Sequence, residues 1–262
     1  MSVAKLASNK IIFPATSLIY FIFLAAFGWW ASAYPQFLIS AAIILLVLLI
    51  FLIKFISSLT FSDWQLYKQL IAPITFLSSS LLFYVFFNTL LLQKIFWFLV
   101  CLVLYFYVYN LWLFYQHPAK YQAFTLENFS WYLHLAGGWF FTSAIYGFII
   151  FINFKIYFAI FLFLLFASLI FWQMWWIQKL EHKYKWWWYL TYILVCFETF
   201  VTLSVLPLSF YLLGFWWSII WFLTVSLIFQ TIKETLSIKK YLLQAIIILS
   251  LAILLTLTAK IF

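Results

Sequence analysis

The sequence predicts an all-α fold: a polytopic bundle of about nine transmembrane helices, with the amino terminus cytoplasmic and the carboxyl terminus exoplasmic. Three observations lead there. Hydrophobic residues make up 69% of the chain and charged residues 7%, against roughly 45–50% and 25% in an average soluble domain. Apolar stretches of the ~20 residues that a bilayer core requires follow one another along the chain. The lysines, finally, alternate between the gaps. Eleven of the 14 (Lys5, Lys10, Lys54, Lys68, Lys120, Lys179, Lys183, Lys185, Lys233, Lys239 and Lys240) share one predicted side, and only Lys94, Lys155 and Lys260 fall on the other. Lysine-rich short loops stay cytoplasmic, which sets the orientation.

The first span, 11–33, follows a short lysine-bearing leader, ends at Trp29 and Trp30, and has no small-residue cleavage site. It therefore reads as a retained helix and not a signal peptide. Pro35 makes a tight turn into the second span, 36–57. The third, 69–91, has Pro73 near its start and carries Ser78, Ser79, Ser80 and Asn88. The fourth, 95–115, holds Tyr105, Tyr107, Tyr109 and Asn110, and the His117-Pro118 loop follows it. The fifth, 131–152, opens on His134 and Ala136-Gly137-Gly138. The sixth, 156–177, ends at Trp175 and Trp176, and the seventh, 187–206, begins at Trp186 to Trp188, where indoles favour the headgroup level. Leu206-Pro207-Leu208-Ser209 forms a turn that pairs the seventh span with the eighth, 210–230, and the ninth is 241–260. No gap is long enough for a soluble domain, so residues 1–262 read as a single integral membrane domain.

Composition excludes several activities. The chain has no arginine, while Phe, Ile, Tyr and Lys abound, a pattern of codon bias in an AT-rich genome. Without guanidinium forks it has no bidentate clamp for phosphate or carboxylate. The net charge of +9 comes from helix-end lysines, which suit anionic lipid headgroups and not nucleic acid. Asp63 is the single aspartate, too few acids for magnesium-dependent lipid chemistry. HExxH, GxSxG and a Walker loop are all missing. Cys101 and Cys196 lie in predicted spans as small apolar residues. No cofactor, metal or catalytic residue is expected, and the expected partners are the lipid bilayer and other membrane subunits.

Glu198 is the strongest candidate site residue. It lies about halfway along the seventh span, where an ionised carboxylate costs about 2.5–3.5 kcal/mol on insertion scales and hydrocarbon favours the neutral acid. Thr191, Glu198 and Thr202 recur at i, i+7 and i+11, one helical face that is expected to point into the bundle. Two readings stay open: a proton, ion or substrate group, or a packing residue held by hydrogen bonds. Tyr105, Tyr107, Tyr109 and Asn110 could line a polar cavity, though 17 tyrosines in the chain make this a compositional effect as well. His134 reads either as a titrating group or as an interfacial polar residue. Ala136, Ser143 and Gly147 form a small-residue stripe suited to close helix packing.

The stretch Glu198-Thr199-Phe200 through Leu206-Pro207-Leu208-Ser209-Phe210-Tyr211, followed by an aromatic span, resembles a segment of uncharacterised multi-pass membrane proteins of candidate-phyla bacteria with reduced genomes. The resemblance covers the last third of the chain. It implies a setting, the bacterial cytoplasmic membrane, and no activity or residue role. The function expected is that of a non-enzymatic membrane component: a partner subunit, scaffold or lipid-binding protein. The alternative is a small transporter using Glu198 as its coupling or binding group.

Overall fold

A computed structural model describes residues 21, 22, 26, 38–60, 63–178, 185–233 and 237–259. They form eight α-helices: α1 (Leu38–Ser57), α2 (Trp64–Tyr84), α3 (Leu90–Gln116), α4 (Thr125–Ile152), α5 (Ile156–Ile177), α6 (Lys185–Ser204), α7 (Phe210–Ile232) and α8 (Ile238–Ala259). Seven of them are long and apolar enough to cross a membrane. Apart from Phe21, Ile22 and Ala26, the first predicted span lies outside the described residues, as do Pro14, Trp29, Trp30, Pro35, Lys5, Lys10, Lys179, Glu181, Lys183, Glu234 and Lys260.

The predicted boundaries of α1 and α5 to α8 agree with the helices to within a few residues. Three starts move toward the amino terminus. The third predicted span begins at Trp64 instead of 69 and breaks after Tyr84, so Asn88 sits exposed in a turn and not inside a helix. The fourth accordingly starts at Leu90, and α4 starts at Thr125 instead of 131. For α2 and α4 polar first turns continue the helix beyond its apolar window, whereas α3 takes over Leu90 and Leu91, which the apolar window joins to the preceding span. Two helices end on non-glycine residues in the left-handed region: Ser58 (φ 54°) follows α1 and Asn153 (φ 53°) follows α4. Asparagine tolerates that conformation best, and there it stops the helix.

The chain divides into two compact units, Met1–His134 and Leu135–Phe262. In the first, α1, α2 and α3 pack against one another. Hydrogen bonds tie the ends: Gln116 Nε2 donates to the Ile56 carbonyl at 3.3 Å, satisfying one orphan acceptor of the last turn of α1. Gln93 Nε2 donates to the Phe87 carbonyl at 2.8 Å and so closes the α2–α3 turn.

The core of the second unit is aromatic. Tyr146 of α4 stacks on Phe200 of α6 (4.8 Å, 11°), Phe200 on Phe163 of α5 (4.4 Å), and Phe163 meets Trp217 of α7 edge-on at 5.2 Å. Tyr146 also donates to the Phe200 carbonyl at 2.8 Å, and Trp221 Nε1 donates to the Tyr192 hydroxyl at 2.8 Å. The Tyr146 and Tyr192 hydroxyls and the Trp221 N–H thus have partners, as a dry interior requires. The Pro207 turn joins α6 to α7 as expected, and α8 packs on α7.

Candidate functional site

The predicted site residues separate by unit. Thr191, Glu198 and Thr202 belong to the second; Tyr105, Tyr109, Asn110 and His134 belong to the first.

In the first unit the polar centre is built around a residue the sequence did not single out from its neighbours, Tyr107. Pro73 lies inside α2 and not at its start. Having no N–H, it cannot bond the carbonyl four residues back, that of Gln69. Tyr107 of α3 fills the gap: its buried hydroxyl donates to the Gln69 carbonyl at 2.7 Å. A proline is tolerated in an apolar span when a neighbouring helix re-satisfies the freed group. The Gln69 side chain is buried as well, and its amide donates to the Tyr115 hydroxyl. Ser130 of α4 lies within hydrogen-bonding reach of Tyr107.

The adjoining loop carries Tyr121, whose hydroxyl accepts from the Leu126 N–H at 2.9 Å and donates to Glu127 Oε2 at 3.2 Å. Burial first, and then the nearby Glu127 carboxylate, push this phenol up to about 12. It therefore stays a neutral donor that anchors the first turn of α4. His134, four residues beyond Ser130, is buried.

This arrangement gives a direct expectation. Tyr107→Phe leaves a buried carbonyl without a donor and is expected to destabilise the protein by about 1–2 kcal/mol. Pro73→Ala restores the helical N–H, so in the Pro73→Ala background Tyr107→Phe should cost much less. Unfolding of the four variants in mixed micelles measures the coupling, and equal costs in both backgrounds would refute the pairing.

Among the described residues, no hydrogen bond joins Tyr105, Tyr109 or Asn110 to that polar centre. Tyr105 and Tyr109 stack on each other (6.4 Å, 17°) along an outer face of α3, with Phe21 edge-on to Tyr105 at 5.8 Å. Asn110 Nδ2 donates to its own helix at Phe106, 2.8 Å. The serine run behaves likewise: Ser78 and Ser79 bond the Thr75 carbonyl and Ser80 that of Phe76. These hydroxyls satisfy themselves within α2 and do not bridge helices.

The small-residue stripe lies in the second unit. Ser143 and Gly147 are buried, and Ala136 is half-buried. The closest approach, however, uses two glycines outside that stripe. A Cβ on Gly214 of α7 would stand 2.0 Å from Ser143 Oγ, 2.7 Å from the Ser143 nitrogen and 2.9 Å from the Trp139 carbonyl. A Cβ on Gly138 would stand 2.7 Å from the Trp217 ring. Trp139 Nε1 donates to the Tyr211 carbonyl at 3.2 Å across the same contact. Among the described residues Ser143 Oγ makes no conventional hydrogen bond, and Gly214 Cα–H, in the direction its Cβ would take, faces it as a weak donor.

Glu198 overturns one expectation. The Thr191, Glu198 and Thr202 face does not point into the bundle; all three residues are exposed. The reason lies on the opposite side of α6, where Tyr192, Cys196, Phe200 and Leu203 are buried against α5 and α7. There Tyr192 accepts from Trp221 of α7 and Phe200 stacks on Tyr146 of α4 and Phe163 of α5, and a helix has only one side to give to its neighbours. Among the described residues Glu198 makes no hydrogen bond or ion pair within the chain. No group of three or more His, Cys, Asp or Glu that could hold a metal ion occurs among them either.

No family model, no curated protein and no solved structure matches this chain.

Proposed function

We propose that this chain is a non-enzymatic subunit of a membrane assembly, set in a bacterial cytoplasmic membrane with its amino terminus inside, and that the outer face of α6 docks another transmembrane helix. The observation that carries the reading is the outward position of Glu198, six residues from the end of a 20-residue helix. Facing lipid, a charged side chain there would cost about 2.5–3.5 kcal/mol. A helix that supplies a hydrogen-bonding group at the same depth removes most of that cost. A coupling group for transport needs to line an internal passage, and the outward position favours docking over transport.

The test uses a photoreactive amino acid at Leu194, on this face of α6, and another at Leu254 on α8, both exposed. Irradiated in native membranes, Leu194 is expected to yield a protein adduct and Leu254 lipid adducts alone. Lipid adducts alone at both positions would overturn the reading.

A further inference from the structure

Resting on that docking reading, we propose that the occupant of the α6 face is a second copy of this chain, related by a two-fold axis along the membrane normal that passes beside Glu198. The first support is the spacing. Trp187, Thr191, Leu194, Glu198, Val201 and Val205 recur at alternating intervals of four and three residues. Val201 is half-buried and the other five are exposed. Intervals of that kind form the seam of paired helices that cross at a small angle, each seam residue entering a hole on the partner.

The second support is chemical self-complementarity at matched depth. Two copies share one orientation in the bilayer, so their α6 helices run parallel and equivalent residues meet at the axis. Each Glu198 then finds the other at its own depth without further design. A neutral carboxyl both donates and accepts, so two of them satisfy each other. Thr191 donates to the Trp187 carbonyl of its own helix at 3.0 Å, which leaves its oxygen free to accept from the facing copy. A polar pair at one seam position also fixes register, because a slip by one turn would leave both acids in hydrocarbon. The described lysines lie at helix ends or in loops, so a copy of this chain offers its own acid, and not a base, at this level.

The third support is that the chain's own neighbouring segments are engaged elsewhere within their units. Phe21 packs on Phe98 and Tyr105 of α3, and α8 packs on α7.

Disulfide cross-linking in native membranes tests the proposal, in a chain with Cys101 and Cys196 both replaced by alanine. Cysteine at Leu194 or Val201 is expected to give a chain-to-chain disulfide, and cysteine at Leu254 is not. In vesicles, subunit counting by stepwise photobleaching should show pairs. Glu198→Leu should lower the paired fraction by about tenfold at fixed protein-to-lipid ratio. Glu198→Gln, which still donates and accepts, should retain pairing. Two results would overturn the second copy in different ways. Single copies in vesicles, together with a Leu194 photoadduct of some other protein, would refute pairing and keep the docking reading. Single copies with lipid adducts alone would refute both.

Discussion

Gly214→Leu is expected to cost about 3 kcal/mol of stability, the upper range for overpacking a well-filled contact. The magnitude follows from what stands in the way. Two of the three nearest atoms to a Cβ at Gly214 belong to the α4 backbone, the Ser143 nitrogen at 2.7 Å and the Trp139 carbonyl at 2.9 Å. A side chain could rotate aside, but these can move only if α4 and α7 separate. Separation would in turn stretch the Trp139–Tyr211 hydrogen bond. Gly214→Ala should show a smaller loss of the same sign. Adding Ser143→Ala should recover only a part of it, because the hydroxyl is removed and the backbone remains. Unfolding in mixed micelles, followed by tryptophan fluorescence, measures all three. A Gly214→Ala variant as stable as the parent would mean that the helices are not in contact there.

Trp217→Ala is expected to cost a similar amount, about 3–5 kcal/mol. Inside a bilayer the cost comes from the cavity and the lost dispersion contacts, since lipid solvates an exposed ring as well as the core does. Trp217 is 1% exposed and touches Phe163 at 5.2 Å and Trp221 at 6.1 Å, while its ring edge lies over Gly138. The last contact allows a sharper test. Gly138→Ala should destabilise the parent, because the new methyl meets the indole. In the Trp217→Ala background the same change should be neutral or favourable, since it fills part of the cavity. That change of sign in a double-mutant cycle is specific to direct contact. Additive losses would show that the two residues do not meet.

Both contacts rest on residues whose importance was unevenly legible. Ser143 could be read from the sequence because it shares a helical face with Ala136 and Gly147. Its partner Gly214 could not, as it stands alone among Leu213, Phe215 and two tryptophans with no spacing to mark it. Pro73 was visible from the outset, yet it read as the start of a helix because the apolar window begins near it. The signal for Tyr107 was nonetheless present. A proline inside a span frees the carbonyl four residues back, and some donor on a neighbouring helix must reach it. Which of Tyr105, Tyr107 and Tyr109 does so depends on the rotation of α3, and sequence spacing carries no information on that.

Glu198 illustrates the same limit in the opposite direction. Its depth in the span follows from counting residues. Its facing does not, because both sides of α6 are apolar and only tertiary packing distinguishes them. The side carrying Tyr192 and Phe200, which meet partners on α4, α5 and α7, took the interior, and the acid was turned outward with Thr191 and Thr202. The expectation of a polar interior rested on the cost of an acid in lipid. That cost still applies, and under the docking proposal a second chain relieves it and not the bundle itself.

The most direct test of that account is a comparison of collisions between lipid-dissolved oxygen and nitroxide labels placed at Leu194 and at Leu254, in bilayers and in a background without native cysteines. Both side chains are similarly exposed in the single chain, 56% and 58%. A docked α6 face predicts markedly fewer collisions at Leu194 than at Leu254, with the protection repeating at Val201. Equal oxygen access at the three positions would place the α6 face in lipid and contradict the account.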